Sequence, residues 1–277
     1  MKKTLRIALG IMLVAMALIT AACGGNEGIK IGVVTGTTFE AEAEKFEKVS
    51  EVLLYKDDNL TLQELSTGRI DGVITDRLVG LYAIQEAGYS EIKAAGDVLY
   101  HETIAVAIRQ EDDALRQAIN QALADMIADG TYGEISTKYF GKDISEGQTY
   151  PETFSDDKTA NDNSLEKVKE KGEITFAMSG GYPPFNYFNT DDKLTGFDVE
   201  IGEEVANRLG VKYTPITTEW SGILEGLRSG RYDGILGSMA ITEERLKTVD
   251  FTNPYYLSGA QLFVKNNSQI SGPEDLE

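Results

Sequence analysis

A nine-residue unit occurs twice in this chain, and its repetition limits the fold to two similarly built halves. The first copy is Ser66-Thr67-Gly68-Arg69-Ile70-Asp71-Gly72-Val73-Ile74, and the second is Arg228-Ser229-Gly230-Arg231-Tyr232-Asp233-Gly234-Ile235-Leu236. Each copy reads as a helix that stops at a glycine in left-handed conformation and feeds a short buried strand. Two such units roughly 160 residues apart describe two α/β halves, not a repeat array, which would need several closely spaced copies. Facing α/β lobes enclose a cleft at the carboxyl ends of their strands, where ligands of this architecture bind. Polar residues follow both strands at once: Thr75 and Asp76 in the first copy, Gly237 and Ser238 in the second.

The ends and the composition narrow the class. Lys2, Lys3 and Arg6 precede an apolar run from Ile7 to Ala22. That run is short of the ~20 residues a membrane span needs and fits a signal segment over residues 1–22. Cys23 is the only cysteine, so no intrachain disulfide can form. The stretch Ile19-Thr20-Ala21-Ala22-Cys23 resembles a bacterial lipobox, with Thr20 departing from the usual leucine, and implies lipidation of Cys23. Residues 23–28 then form a tether. The chain carries 26 basic and 45 acidic residues; without the three leader cations 23 face 45, a net charge of −22. Such a chain has nothing to neutralise phosphates, which excludes nucleic acid as a partner. One histidine and one cysteine exclude His/Cys metal clusters and Cys/His catalytic pairs. No cofactor or metal site is expected.

Along the chain the patterning predicts a strand over Ile29–Val34, a helix over residues 40–49, a strand over 52–55 and a helix over 78–87. A strand at 101–109 follows, then a helix over Asp113–Asp129 with Leu115, Ile119, Leu123 and Ile127 at four-residue spacing, and a helix over 132–139. Residues 147–163 are polar, without apolar periodicity, and read as a linker. A helix over 165–171 and a strand over 174–177 begin a fresh series.

Several stretches carry a specific resemblance. Phe176-Ala177-Met178-Ser179-Gly180-Gly181-Tyr182-Pro183-Pro184-Phe185 with Leu194-Thr195-Gly196-Phe197-Asp198, and Gly237-Ser238-Met239-Ala240-Ile241-Thr242-Glu243-Glu244-Arg245 with Val249-Asp250-Phe251-Thr252, resemble the polar amino-acid-binding proteins of bacterial ABC importers, the extracellular solute-binding proteins of family 3. Ile31-Gly32-Val33-Val34-Thr35-Gly36-Thr37-Thr38 resembles the opening of that family's second lobe. Asp129-Gly130-Thr131-Tyr132, through Tyr139-Phe140-Gly141, resembles its C-terminal end. The resemblance implies a type II periplasmic-binding-protein-like fold: α/β, two Rossmann-like lobes joined by two crossing hinge strands. It also implies a monomeric, extracytoplasmic protein that hands a free amino acid to a membrane permease, anchored to the membrane by lipidated Cys23.

The order of these parts is reversed, with family-typical C-terminal material ahead of N-terminal material. Joining Glu277 to Ile29 would restore the usual order, so the chain reads as a circular permutant whose old termini meet through residues 147–163. On that reading lobe 2 comprises residues 28–101 and 265–277, and lobe 1 residues 102–264. Two truncated halves completed by a second molecule, as in a domain-swapped oligomer, is the rival arrangement.

For the ligand's carboxylate, the planar fork of Arg245 can make a bidentate charge-assisted pair. The resemblance assigns that role to Arg245, helped by the Ala240 backbone N–H and by Thr38 or Thr37 of the Gly36 turn. It assigns the ammonium to Asp76 and the Ser238 carbonyl, and the side-chain walls to Tyr182 and Trp220. Ser179 stands where binders of basic amino acids often carry an aspartate, which favours a polar or neutral ligand such as glutamine or cystine. Val34 and Thr75 sit at positions that tune selectivity. Asp198 reads as a cap for the helix ending at Leu209, Asp71 and Asp233 as structural, and His101 as incidental. Other members of the fold are cyclohexadienyl dehydratases, which need a carboxylic acid over the substrate ring. No further carboxylate is assignable to the cleft from sequence, so the chain reads as a binder and not an enzyme. An amino-acid-sensing module is the remaining alternative.

Overall fold

The computed structural model describes residues 28–146 and 161–277. The leader, Cys23, the tether up to Glu27 and residues 147–160 of the expected linker lie outside the described residues. The first series of elements alternates strand and helix: β1 (Ile29–Val34), α1 (Thr38–Ala43), β2 (Val49–Tyr55), α2 (Asp58–Thr67), β3 (Gly72–Asp76) and α3 (Arg77–Gln85). A 17-residue strand, β4 (Ile92–Ile108), leads to α4 (Asp113–Asp129), α5 (Thr131–Phe140) and α6 (Ser164–Lys171). Then come β5 (Glu173–Met178), the small strands β6 (Gly181–Tyr182), β7 (Asn186–Phe188) and β8 (Leu194–Thr195), α7 (Phe197–Leu209) and β9 (Lys212–Thr217). A 3-10 turn at Trp220–Gly222, α8 (Ile223–Arg228), β10 (Gly234–Ala240), α9 (Glu243–Leu246), β11 (Asp250–Phe251) and β12 (Tyr256–Lys265) complete the set, ahead of a last 3-10 turn at Pro273–Asp275.

The repeat behaves as its glycines dictate. Gly68 and Gly230 take φ of 73° and 75°, past the ends of α2 and α8, and each releases the chain into a buried strand. Asp71 and Asp233 hold those strand entries: Asp71 accepts from the Lys30 N–H, and Asp233 from the Thr175 N–H and hydroxyl. The polar residues expected beyond the strands lie inside them, because both strands continue, to Asp76 and to Ala240.

The sheet runs in the order β2-β1-β3-β12-β4-β10-β5-β9, with β11 also on β4. The pairs β1/β2, β1/β3, β5/β9 and β5/β10 are parallel. Two lobes joined by crossing strands are present, yet hydrogen bonding runs unbroken from one to the other. The reason is that β4 and β12 pair antiparallel from Ile92/Lys265 to Ile104/Tyr256, so each belongs to both half-sheets. The residues Ala260 to Val264 of β12 also pair with β3. Where the β12 register slips, the buried Gln261 amide donates to the carbonyls of Ala95, Gly96 and Asp97.

Three sequence expectations shift. Helix α1 stops at Ala43 and not at 49: only Phe39 and Ala43 of the helix are buried, and Lys48 donates its N–H to the Leu276 carbonyl as the chain turns into β2. Strand β4 begins nine residues before 101, across Gly96 (φ 69°), whose left-handed backbone and Asp97 neighbour hide the strand from an apolar-alternation reading. In α4, Leu115, Ile119 and Leu123 face the core, but Ile127 is 42% exposed and Met126 is buried. Four-residue steps overshoot the helical period of 3.6, so after three of them the core face has passed to the preceding residue.

Candidate functional site

The carboxyl ends of five parallel-paired strands converge on one cavity. Val34, Thr37 and Thr38 come from the end of β1, Lys56, Asp57 and Asp58 from the end of β2, and Ser179 and Tyr182 from beyond β5. Trp220 follows β9, and Gly237, Ser238 and Ala240 come from β10, with Arg245 on α9 just after it. The crossing strand β4 adds Glu102. Eight of the nine residues expected at the site line this cavity; Asp76, at the end of β3, is buried and does not line it.

Arg245 is 9% exposed, and it is not the surface arginine its glutamate neighbours would suggest, since Glu244 pairs with Lys247 instead. Helix α9 is one turn long and starts at Thr242, whose hydroxyl accepts from the Arg245 N–H. That cap sends the arginine back over β10. Its guanidinium donates to the carbonyl of Ala240 at 2.7 Å and to that of Gly36 at 3.5 Å, and lies 5.8 Å from the Trp220 ring centre. Burial presses the guanidinium pKa below its ordinary value. Both carbonyl partners are uncharged, so the cation retains the capacity for a charge-assisted bond to a carboxylate.

The Gly36 turn bridges the two half-sheets. Its φ of 77° suits glycine alone, and its carbonyl accepts from Trp220 Nε1 at 3.3 Å as well as from Arg245. The N–H of Gly36 donates to Glu40, and the Thr37 hydroxyl donates to Val34 O, so these two groups are spent on the turn. The Thr38 hydroxyl donates to Glu102.

Ser238 sits at a break in the ladder. The register between β10 and β4 slips from Ile235 to Met239, and Ser238 has φ of 61°, a conformation serine rarely adopts inside a strand. The bend is held by Asp198, which accepts from Ser238 Oγ and Tyr255 Oη, both at 2.8 Å, and from Asn186 Nδ2 at 2.9 Å. Asp198 therefore does not cap α7; it is fully buried in the helix's first turn and orients three groups beneath the site. Burial raises its carboxyl to about 6.

Sequence reasoning missed the acidity of the cavity. It found no carboxylate beyond Asp76, whereas Asp57, Asp58 and Glu102 line the wall. Asp58 accepts from the buried Thr75 hydroxyl at 2.5 Å, and burial pushes its carboxyl up to about 7. Glu102 is also raised by burial, with Thr38 and Arg245 opposing the rise. Asp57 and Asp58 follow β2 after only Lys56, so the strand-end rule that singled out Asp76 could have found them. Glu102 had a weaker signal, a lone acid opening the apolar run of β4.

Asp76 does two things. Its Oδ1 accepts from the Leu78 N–H at 2.7 Å, capping α3, while Oδ2 is buried without a hydrogen-bond partner. Burial pushes this carboxyl up to about 7. An unsatisfied buried carboxylate oxygen calls for a donor or a proton. Tyr182 stacks on Phe185 at 5.4 Å and 24°, which fixes its ring as a wall. The Ser179 hydroxyl donates to Asn186 Oδ1 at 3.1 Å. His101 is exposed and lines a separate open groove beside the crossing strands.

Comparison with known proteins gives the same neighbourhood. The model of the bacterial extracellular solute-binding proteins, family 3, matches residues 28–142 and 174–273. The L-cystine-binding protein TcyJ of Escherichia coli K12 is 41% identical over 120 residues, 43% of this chain and 45% of that protein. A probable histidine-binding protein of Campylobacter jejuni is 43% identical over 121 residues, 43% and 46% of the two chains. The L-cystine-binding protein TcyA of Bacillus subtilis is 38% identical over 112 residues, 40% and 41%. The chain thus spans less than half the length of these relatives.

Proposed function

We propose, because the chain belongs to the bacterial extracellular solute-binding proteins, family 3, that its cavity captures a free L-α-amino acid between the two lobes. The observation that carries this reading is the buried Arg245 lining the same cavity as Asp57, Asp58 and Glu102, a cation and anions around one site, as a zwitterion requires. Arg245 takes the α-carboxylate, with Thr38 and Ala240 beside it. The ammonium turns toward Ser238 and toward the unpartnered oxygen of Asp76, and Tyr182 and Trp220 enclose the side chain. The three carboxyls lining the cavity, with Asp76 at the end of β3, extend the ligand range from polar, neutral amino acids to those with a second ammonium, such as cystine. Capture proceeds by closure about β4 and β12, because only a closed cleft brings both lobes to the ligand.

Binding, not catalysis, is the reading supported by the relatives, which are named as binding proteins. We further read the protein as membrane-anchored through lipidated Cys23 outside the cytoplasm, delivering its ligand to an ABC permease as a monomer. Its order of parts is a circular permutation, with residues 28–101 and 265–277 forming lobe 2 and 102–264 lobe 1. Support for that order comes from Leu276, which is buried in the same core cluster as Ile31, Val33 and Phe39.

Thermal unfolding with each common L-amino acid and cystine tests the function. A ligand at 100 times its dissociation constant adds about 2.7 kcal/mol, or roughly 5 to 10 °C for a chain of this size. A transition that no amino acid moves would reject the reading.

A further inference from the structure

Glu102 occupies an unexpected place in this cavity. It opens the lobe-crossing part of β4, is 7% exposed, and lines the same cavity as Thr38 and Arg245. Its Oε1 accepts the Thr38 hydroxyl, the group that the proposed function gives to the ligand's carboxylate. The Arg245 guanidinium is close enough to act on the Glu102 charge, and Glu102 on that of Arg245. Two carboxylates thus contend for one hydroxyl and one cation in a buried site, where their mutual repulsion is poorly screened.

We propose that Glu102 is a specificity residue: it competes with the ligand's carboxylate for Thr38 and Arg245, so the site rejects an anion that brings no cation with it. An amino acid offsets the added negative charge with its own ammonium, held among the cavity carboxyls. A plain carboxylic acid, a 2-oxo acid or an acidic side chain turned toward Arg245 adds charge with no such offset. Discrimination is therefore built as repulsion against the wrong ligand as well as attraction to the right one. The inference rests on the amino-acid reading, since it presupposes a carboxylate site at Arg245 and Thr38.

The test uses sodium acetate, a carboxylate without an ammonium, titrated at constant ionic strength against the full chain. The fluorescence of Trp220, the single tryptophan and a neighbour of Arg245, reports occupancy. Glu102→Gln keeps the shape and removes the charge; it should bind acetate at least tenfold more tightly than the wild type. Glu102→Asp, which restores the charge, should bind acetate no better than the wild type. Arg245→Ala in the Glu102→Gln background should abolish the gain. Equal affinities in wild type and Glu102→Gln, or no acetate response in either, would overturn the proposal. If Glu102→Gln does not melt cooperatively, Glu102→Ala removes the same charge and carries the same expectation. An amino-acid thermal response alongside equal acetate affinities rejects this inference alone, whereas absence of the amino-acid response rejects the reading beneath it.

Discussion

Arg245 concentrates the chemistry of this site at the scale of one residue. It is a buried cation bonded to carbonyl oxygens, and its worth to a ligand is the charge-assisted bond still open to it. Arg245→Ala should abolish every amino-acid-induced thermal shift. Arg245→Lys should recover only part of it, because an ammonium cannot make the bidentate pair. Asp76 sets the pH dependence. Its carboxyl is held near 7, and an incoming ammonium favours the ionised form, so binding should release a proton around pH 6 to 7. Affinity should therefore fall as pH drops below about 7, and calorimetry in buffers of different ionisation enthalpy should show the release, lost in Asp76→Asn. The same groups shape stability without ligand. Asp58 and Asp76 have folded values near 7, above the ordinary carboxylate range, so the folded chain holds more protons than the unfolded one between about pH 4 and 7. Stability from these groups is present below pH 4 and lost as pH rises through 7; Asp58→Asn should flatten the slope of the urea midpoint against pH. Arg245, Tyr182, Trp220 and the Thr turn were legible in sequence through the family resemblance, and each lies beyond a strand end. Glu102 was not, since its importance comes from β4 crossing beneath Thr38, a contact between residues 64 positions apart.

Elements are positioned by close approaches that sequence periodicity cannot see. Gly80 lies on α3 where a Cβ would stand 2.0 Å from the Phe263 ring, so α3 sits hard against β12. Gly80→Ala should cost about 1–3 kcal/mol by overpacking, read as a lowered midpoint in urea. The bulge at Ser238 is the second such device: its left-handed backbone is tolerated because Asp198 and Tyr255 hold it. Helix α4 was placed to the residue by its apolar spacing, yet its last core position went to Met126 and not Ile127 because the period is not four. Strand β4 was half-seen, since pairing with β12, and not its own alternation, makes residues 92–100 extended.

The molecule as a whole is two lobes sharing two strands. The continuous path from β2 to β9 means that closure must bend β4 and β12 together, near Gly259 and Gln261, where the β12 register slips. The repeat in the sequence announced two halves, but the sharing of strands between them was written in no local pattern. Function in this molecule requires capture of a zwitterion, with its carboxylate on Arg245 and its ammonium among the cavity carboxyls. The most direct test takes the amino acid giving the largest thermal shift and compares it by calorimetry with its methyl ester and its N-acetyl derivative. Removing one partner of a buried charge pair costs roughly 3–5 kcal/mol, so each derivative should bind at least a hundredfold more weakly than the parent. A derivative that binds as tightly as the free amino acid would contradict the account.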